Sequence, residues 1–276
     1  MSRKFAFAGR TALITGAASG IGAALAENLA ARGCHLVLAD INAAGLKRVA
    51  DAVRRPGLDV ACYQLDVADK AAVADFAGQV MKAHAPLHLL FNNAGVALGG
   101  TFDRVTEADF EWLMDINFYG VVRLTRALMP ALQHADTAQI VNISSIFGVI
   151  APPGQTAYCS AKFAVRGFSM ALRHELMGSP IGVTTVHPGG VATSIATNAR
   201  MPGDASNAEI ADSLDRAQRS LVMPPPQAAE IIVSGVEKRK ARIMVGKDAK
   251  AAALIERLFP VSYIHLLQRV LGAKKD

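Results

Sequence analysis

Short apolar runs alternate with longer amphipathic stretches along most of the chain. The runs are TALIT (11–15), HLVLA (35–39), VACYQL (60–65), LHLLF (87–91), QIVNIS (139–144), GVTTVH (182–187) and ARIMV (241–245). They have strand length and are apolar almost throughout, as strands buried on both faces are. Between them, residues 20–32, 43–54, 69–84, 106–134, 156–178 and 227–240 repeat their apolar positions at helical spacing. This alternation predicts one doubly wound α/β domain with a seven-stranded parallel sheet. Its crossovers are right-handed, and its ligands bind at the carboxyl ends of the strands.

Two segments break the pattern. Residues 189–226 are polar with scattered Gly, Pro and Ala, and read as a loop over a substrate site. In the tail, 247–276, Leu254, Ile255, Leu258 and Phe259 recur at helical spacing. After Pro260 the pattern resumes with Tyr263, Ile264, Leu266, Leu267, Val270 and Leu271. Proline lacks an N–H and obstructs the preceding turn, so two short amphipathic helices are predicted. Lys250, Arg257, Arg269, Lys274 and Lys275 make their polar face basic. Such a tail docks on its own body, near the substrate loop, across a subunit interface or on a membrane surface. The membrane ranks below the protein contacts because each apolar half is short. The chain therefore divides into a catalytic domain, 1–246, and a helical extension, 247–276.

Composition narrows the partners. The 276 residues are 51% hydrophobic and 19% charged, enough for a sizeable core. No apolar run reaches the roughly 18 residues of a membrane span. Gly9 and Arg10 interrupt the N-terminus before a signal-peptide core forms. Cys34, Cys62 and Cys159 have no metal-like spacing and fit a reducing, cytoplasmic setting. The seven histidines form no close pair, so no metal site is expected. The net charge of +6 raises nucleic-acid binding. Its dense run, Lys238, Arg239, Lys240 and Arg242, falls where a helix ends, however, and the helix dipole favours cations there without a ligand.

Candidate chemistry begins after the first strand, at Thr15-Gly16-Ala17-Ala18-Ser19-Gly20-Ile21-Gly22. Glycines permit a tight turn and close backbone approach, and the following helix N-terminus offers N–H groups to a pyrophosphate. The glycine spacing differs from G-x-G-x-x-G, but strand, turn and helix follow in the required order. Asp40 ends the second strand, where a carboxylate accepts both ribose hydroxyls of an adenosine and repels a 2′-phosphate. Asp40 or Asn42 could equally cap the next helix. With no cation at Ser19 or Ile41, NAD is expected rather than NADP. Further on, Tyr158 and Lys162 lie four apart in a helical segment and so share one face. A nearby ammonium lowers the pKa of a phenol from its usual value of about 10 and equips it for proton transfer. A half-buried Tyr beside a solvated Lys is the alternative.

Taken in order, TGAASGIG (15–22), Asp66-Val67, NNAG (92–95), Asn117, Ser145, YCSAK (158–162) and PGGVAT (188–193) resemble the short-chain dehydrogenase/reductase family over residues 9–246. The resemblance implies a Rossmann-like NAD-binding domain that interconverts a secondary alcohol and a ketone, as a homodimer or homotetramer. Asn117, Ser145, Tyr158 and Lys162 would be its catalytic group. Ser145 would bond the substrate oxygen, with Ser144 its competitor. Asn117 would mark a local helix disturbance that holds a proton-relay water. The cofactor would meet Gly16, Ser19, Gly20, Ile21, Gly22, Asp40, Asp66, Val67, Asn92, Ala94, Gly95, Tyr158, Lys162, Pro188, Gly189, Val191 and Thr193. Of the NNAG pair, Asn92 would be the more cofactor-facing. Asp66 could instead cap the helix near 69. A lining of Ile146, Phe147, Val149, Ile150, Pro152, Pro153, Met201 and Met223 suggests an apolar substrate. The alternatives are an acyl-carrier-linked ketoacyl reductase and a non-catalytic NAD-binding regulator.

Overall fold

The structure, a computed structural model, describes residues 4–270. Seven strands form one parallel sheet: β1 (Thr11–Thr15), β2 (His35–Asp40), β3 (Val60–Gln64), β4 (Leu89–Asn92), β5 (Ala138–Ile143), β6 (Ile181–Pro188) and β7 (Arg242–Val245). Their order is β3-β2-β1-β4-β5-β6-β7. The chain reverses direction across the sheet between β1 and β4, which opens a crevice at their carboxyl ends.

Strand side chains alternate between two cores. Ile14, Leu36, Leu38, Phe91, Val141 and Val186 pack on one face with α1 (Gly20–Ala31), α2 (Ala43–Val53) and α8 (Pro225–Glu237). Leu13, Val37, Leu90, Ile140 and Val183 pack on the other with α3 (Lys70–His84) and α5 (Gly120–Gln133). Coverage on both faces explains why the strands read as continuous apolar runs. α6 (Thr156–Glu175) lies beside β6 and crosses the end of α4 (Glu107–Met114). Phe163 and Met170 on α6, with Tyr119 just before α5, leave apolar surface outward.

The stretch 106–134 is not one helix. α4 and α5 are joined by a π-helical turn, Asp115–Tyr119, in which the Gly120 N–H donates to the Asp115 carbonyl five residues back. The segment 189–226 is not simply a loop either, since it contains α7 (Asn207–Ser220). That helix buries no described side chain, so apolar periodicity could not reveal it. A capping box starts it: the Ser206 hydroxyl accepts from the Glu209 N–H, and the Glu209 carboxylate accepts from the Ser206 N–H. Arg104 then ties Asp204 and Glu209 to the body.

Pro260 does divide the tail, into α9 (Lys247–Leu258) and α10 (Tyr263–Val270). The docked face of α9 is Ala249, Ala252 and Ile255. Leu254, Leu258 and Phe259 of the expected apolar face point outward. Leu271, Lys274 and Lys275 lie outside the described residues. Among those described, no helix is long and apolar enough to cross a membrane.

Candidate active site

The three glycines of the turn after β1 admit no side chain. Gly16 and Gly20 have φ of +64° and +53°, a backbone region that disfavours a Cβ. A Cβ on Gly22 would stand 2.0 Å from the Gly16 carbonyl oxygen. One on Gly20 would stand 3.0 Å from the Thr193 methyl, which places Thr193 directly over the start of α1. Ser19, exposed and with a side chain that caps nothing, leads into the N-terminal turn of that helix.

Three neighbours hold the turn in shape. The Thr15 hydroxyl accepts from the N–H groups of Asn93 and Ala94, both at 3.1 Å. The Asn93 amide donates to the carbonyls of Thr15 and Gly16 at 2.9 and 3.1 Å. The Asp40 carboxylate accepts from the N–H groups of Ala18 and Asn42, each at 2.9 Å, while Asn42 caps α2. Asp40 therefore belongs to the glycine turn and not to a cap. Asp69 rather than Asp66 caps α3, and Asp66 stays exposed with its carboxylate on the Ala68 N–H. Val67 sends its side chain into the core against Gly120.

One expectation needs correction here. Asn92 does not face the crevice: it is buried, and its amide donates to Thr125 and Asn142 inside the sheet. Asn93, one pleat on, braces the glycine turn instead. Ser19 and Ile41 supply no cation, but Arg48 of α2, outside those two positions, reaches back to the Ala18 carbonyl at 3.1 Å.

Beyond the crevice, four groups converge. α6 presents Tyr158 and, one turn later, Lys162, whose ammonium lies 5.6 Å from the phenol ring centroid. Ser145 stands near enough to the Tyr158 hydroxyl to favour its ionised form. Ser144 is turned away, its hydroxyl donating to the Lys162 carbonyl at 2.8 Å. Lys162 is buried and donates to the Ile143 carbonyl at 3.2 Å. Asn117, buried in the π-helical turn, clasps Val96 through both its backbone N–H and its carbonyl. A Cβ on Gly95 would lie 3.1 Å from the Asn117 side-chain oxygen and 3.4 Å from the Lys162 nitrogen, so Gly95 lets the two approach.

Burial governs the charges. It pushes the Tyr158 phenol up to about 12, against the pull of the Ser145 side chain. The depression expected from Lys162 does not outweigh it. Burial also lowers the Lys162 ammonium to about 8. The edge of the Phe147 ring meets Tyr158, centroids 6.2 Å apart. Val149 and Ile150, expected in the substrate lining, are buried packing residues.

His187 is a supporting residue that sequence patterns do not disclose. It is fully buried on β6, with its Nδ1 2.9 Å from the Ser145 carbonyl, and burial lowers it to about 4. The unfolded chain, with an imidazole near 6.5, binds this proton more readily, so stability should fall as pH drops from about 6.5 to 4. The expected loss from this group is about 3 kcal/mol across that window. Urea unfolding of His187→Asn should lack that share of the slope. A slope identical to the unmodified protein's would contradict the assignment.

Pro188 ends β6, and the N–H of the next residue, Gly189, donates to the Val245 carbonyl at 2.9 Å. The chain then turns through Val191, which is buried and bridges to Met223, and reaches Thr193 above Gly20. The switch-point crevice, the glycine turn and the tyrosine–lysine helix thus share one edge of the sheet.

Sequence comparison agrees with this arrangement. A family profile described as short chain dehydrogenase matches residues 10–202. SadH of Mycobacterium tuberculosis, named as an oxidoreductase, is 42% identical over 263 residues, 95% of each chain. A short-chain dehydrogenase/reductase from Burkholderia phymatum, solved in complex with NAD, superposes with a TM-score of 0.84 at 31% identity, covering 92% of this chain and 95% of that one. A metagenomic short-chain oxidoreductase solved with NADP gives 0.71 at 26% identity, covering 87% and 98%. With the fold, the ordered motifs and full-length relatives in agreement, the chain belongs to the short-chain dehydrogenase/reductase family of oxidoreductases.

Proposed function

We propose that the protein interconverts a secondary alcohol and a ketone on an apolar substrate, using NAD. The observation that carries this reading is Tyr158 and the buried Lys162 on one face of α6, the ammonium 5.6 Å from the phenol ring, with Ser145 beside them. The glycine turn fits a dinucleotide, since it opens directly into the N-terminus of α1 and its three glycines permit a close packing that a Cβ would prevent. Gly16, Ser19, Gly20, Ile21 and Gly22 would hold the pyrophosphate, and Asp40 the adenosine ribose. Asp66 and the main chain of Val67 would meet adenine, with Ala94 and Gly95 beside the ribose. Lys162 would hold the nicotinamide ribose, and Pro188, Gly189, Val191 and Thr193 the carboxamide. Bound NAD would supply hydride chemistry at the carbinol carbon.

The residues of the chain then manage the proton. At neutral pH a phenol near 12 keeps its proton, the form in which the Tyr158 oxygen donates to a ketone. In the oxidative direction the phenol first gives up its own proton, and the phenolate, a form favoured by the ammonium of Lys162 below about pH 8, then takes the alcohol proton. Ser145 donates to the substrate oxygen as its charge changes. The π-helical turn at Asn117 disturbs regular helix pairing beside Lys162 and offers a route for the proton to solvent.

Asp40 and Arg48 bear opposite charges at the adenosine end, so they decide between the two nicotinamide cofactors. The carboxylate points into the turn, whereas the guanidinium is engaged by Ala18, which supports NAD. Asp40→Ala should narrow the preference for NAD over NADP by about tenfold or more, through lost hydrogen bonds and relieved repulsion. Steady-state kinetics of a panel of secondary alcohols and ketones with both cofactors tests this. A preference for NADP in the unmodified protein would overturn the cofactor reading, and no turnover of any member with either cofactor would overturn the activity.

A further inference from the structure

Gly190 joins three segments of the chain. Its N–H donates to the Asp248 carboxylate at 2.7 Å, and Asp248 stands in the first turn of α9. Its carbonyl accepts from the N–H groups of Val222 and Met223 at 3.1 and 2.9 Å, which closes the far end of the 189–226 excursion. Asp248 fills the space of two missing side chains. A Cβ on Gly189 or on Gly246 would each lie 2.1 Å from one of its carboxylate oxygens. A carboxylate on a backbone N–H is a charge-assisted bond. It is the direct side-chain link from the C-terminal helices to the turn that leads to Val191 and Thr193.

The same helices reach the other side of the site. The Tyr263 hydroxyl accepts from the Ala151 N–H at 2.8 Å, and Ile255 and Tyr263 pack with Ile146, Phe147 and Ile150. Phe147 in turn meets Tyr158. The helix pair therefore contacts both turns on which the chemistry depends, through Asp248 on one and Tyr263 on the other.

We propose that Asp248 is a positioning residue for the nicotinamide half of the cofactor. By fixing Gly190 it sets the path of Val191–Thr193, and so makes the C-terminal helix pair part of the binding site. This rests on the reading of residues 188–193 as the carboxamide grip. A purely architectural link would instead affect every part of the cofactor alike.

Calorimetric titration with NAD and with ADP-ribose, which lacks the nicotinamide, separates the two. Asp248→Ala should bind NAD about tenfold more weakly and ADP-ribose within about twofold of the unmodified protein. Asp248→Asn, which keeps a carbonyl oxygen acceptor, should recover most of the loss. Asp248→Ser, too short to reach Gly190, replaces the Ala variant if that variant shows no melting transition. Equal weakening for both ligands, or unchanged NAD affinity in the variant that folds, overturns the proposal. An unmodified protein that binds neither ligand overturns the NAD reading itself.

Discussion

Tyr158→Phe should lose about 10² to 10⁴-fold in turnover, the range for removing a positioned acid/base group. The substitution deletes one hydroxyl and retains the ring that meets Phe147, so the pocket should keep its shape. Ser145 keeps its own anchor, accepting from the Phe147 N–H at 3.1 Å. NAD affinity should change little, because the glycine turn, Asp40 and Lys162 are untouched. Turnover measured beside a cofactor titration checks both halves. Near-normal turnover would remove Tyr158 from the proton path. A parallel collapse of NAD binding would show the ring had moved.

Gly22→Ala should be nearly as damaging, by steric means. The added methyl would stand 2.0 Å from the Gly16 carbonyl oxygen and 2.7 Å from the Asn93 amide nitrogen. Neither can retreat cheaply. The oxygen is backbone, and the amide is pinned to Thr15 and Gly16. Relief requires α1 to move away from the turn, which separates the helix N-terminus from the site it would offer a pyrophosphate. NAD affinity should fall at least about 100-fold, and stability by about 1–3 kcal/mol, as for overpacked cores. Gly78→Ala in α3 is the control, since its added methyl would meet nothing within 4 Å. Helix propensity there should leave stability unchanged or raise it by up to about 1 kcal/mol. Equal NAD affinity in Gly22→Ala and the unmodified protein would show that the turn is not the cofactor cradle.

Much of this architecture is legible because it depends on local spacing. Continuous apolar runs mark strands covered on both faces, and the four-residue interval puts Tyr158 and Lys162 on one side of α6 whatever the rest of the chain does. The glycine turn, Asp40 at a strand end and the break at Pro260 are also consequences of backbone geometry over a few residues. α7 was legible too, but in its capping box and not in its periodicity, since it packs no apolar face on the body.

Other features arise only when distant segments meet. Asn92 and Asn93 are adjacent amides, and the pleat alone sends one into the sheet and the other under the glycine turn. Arg48 reaches Ala18 across 30 residues, His187 reaches Ser145 across 42, and Asp248 reaches Gly190 across 58. No interval in the sequence encodes such pairs, because they follow from strand order and from how the loops fold over the carboxyl edge. The sign of the Tyr158 shift is of the same kind. Spacing supplies the ammonium that would lower it, but packing determines how much water the phenol loses, and here that desolvation is the larger effect. Sequence by itself therefore determined the fold, the family and the candidate residues for proton transfer. Tertiary structure decided which of them touch and how burial moves their pKa values, because both depend on contacts between segments far apart in the chain.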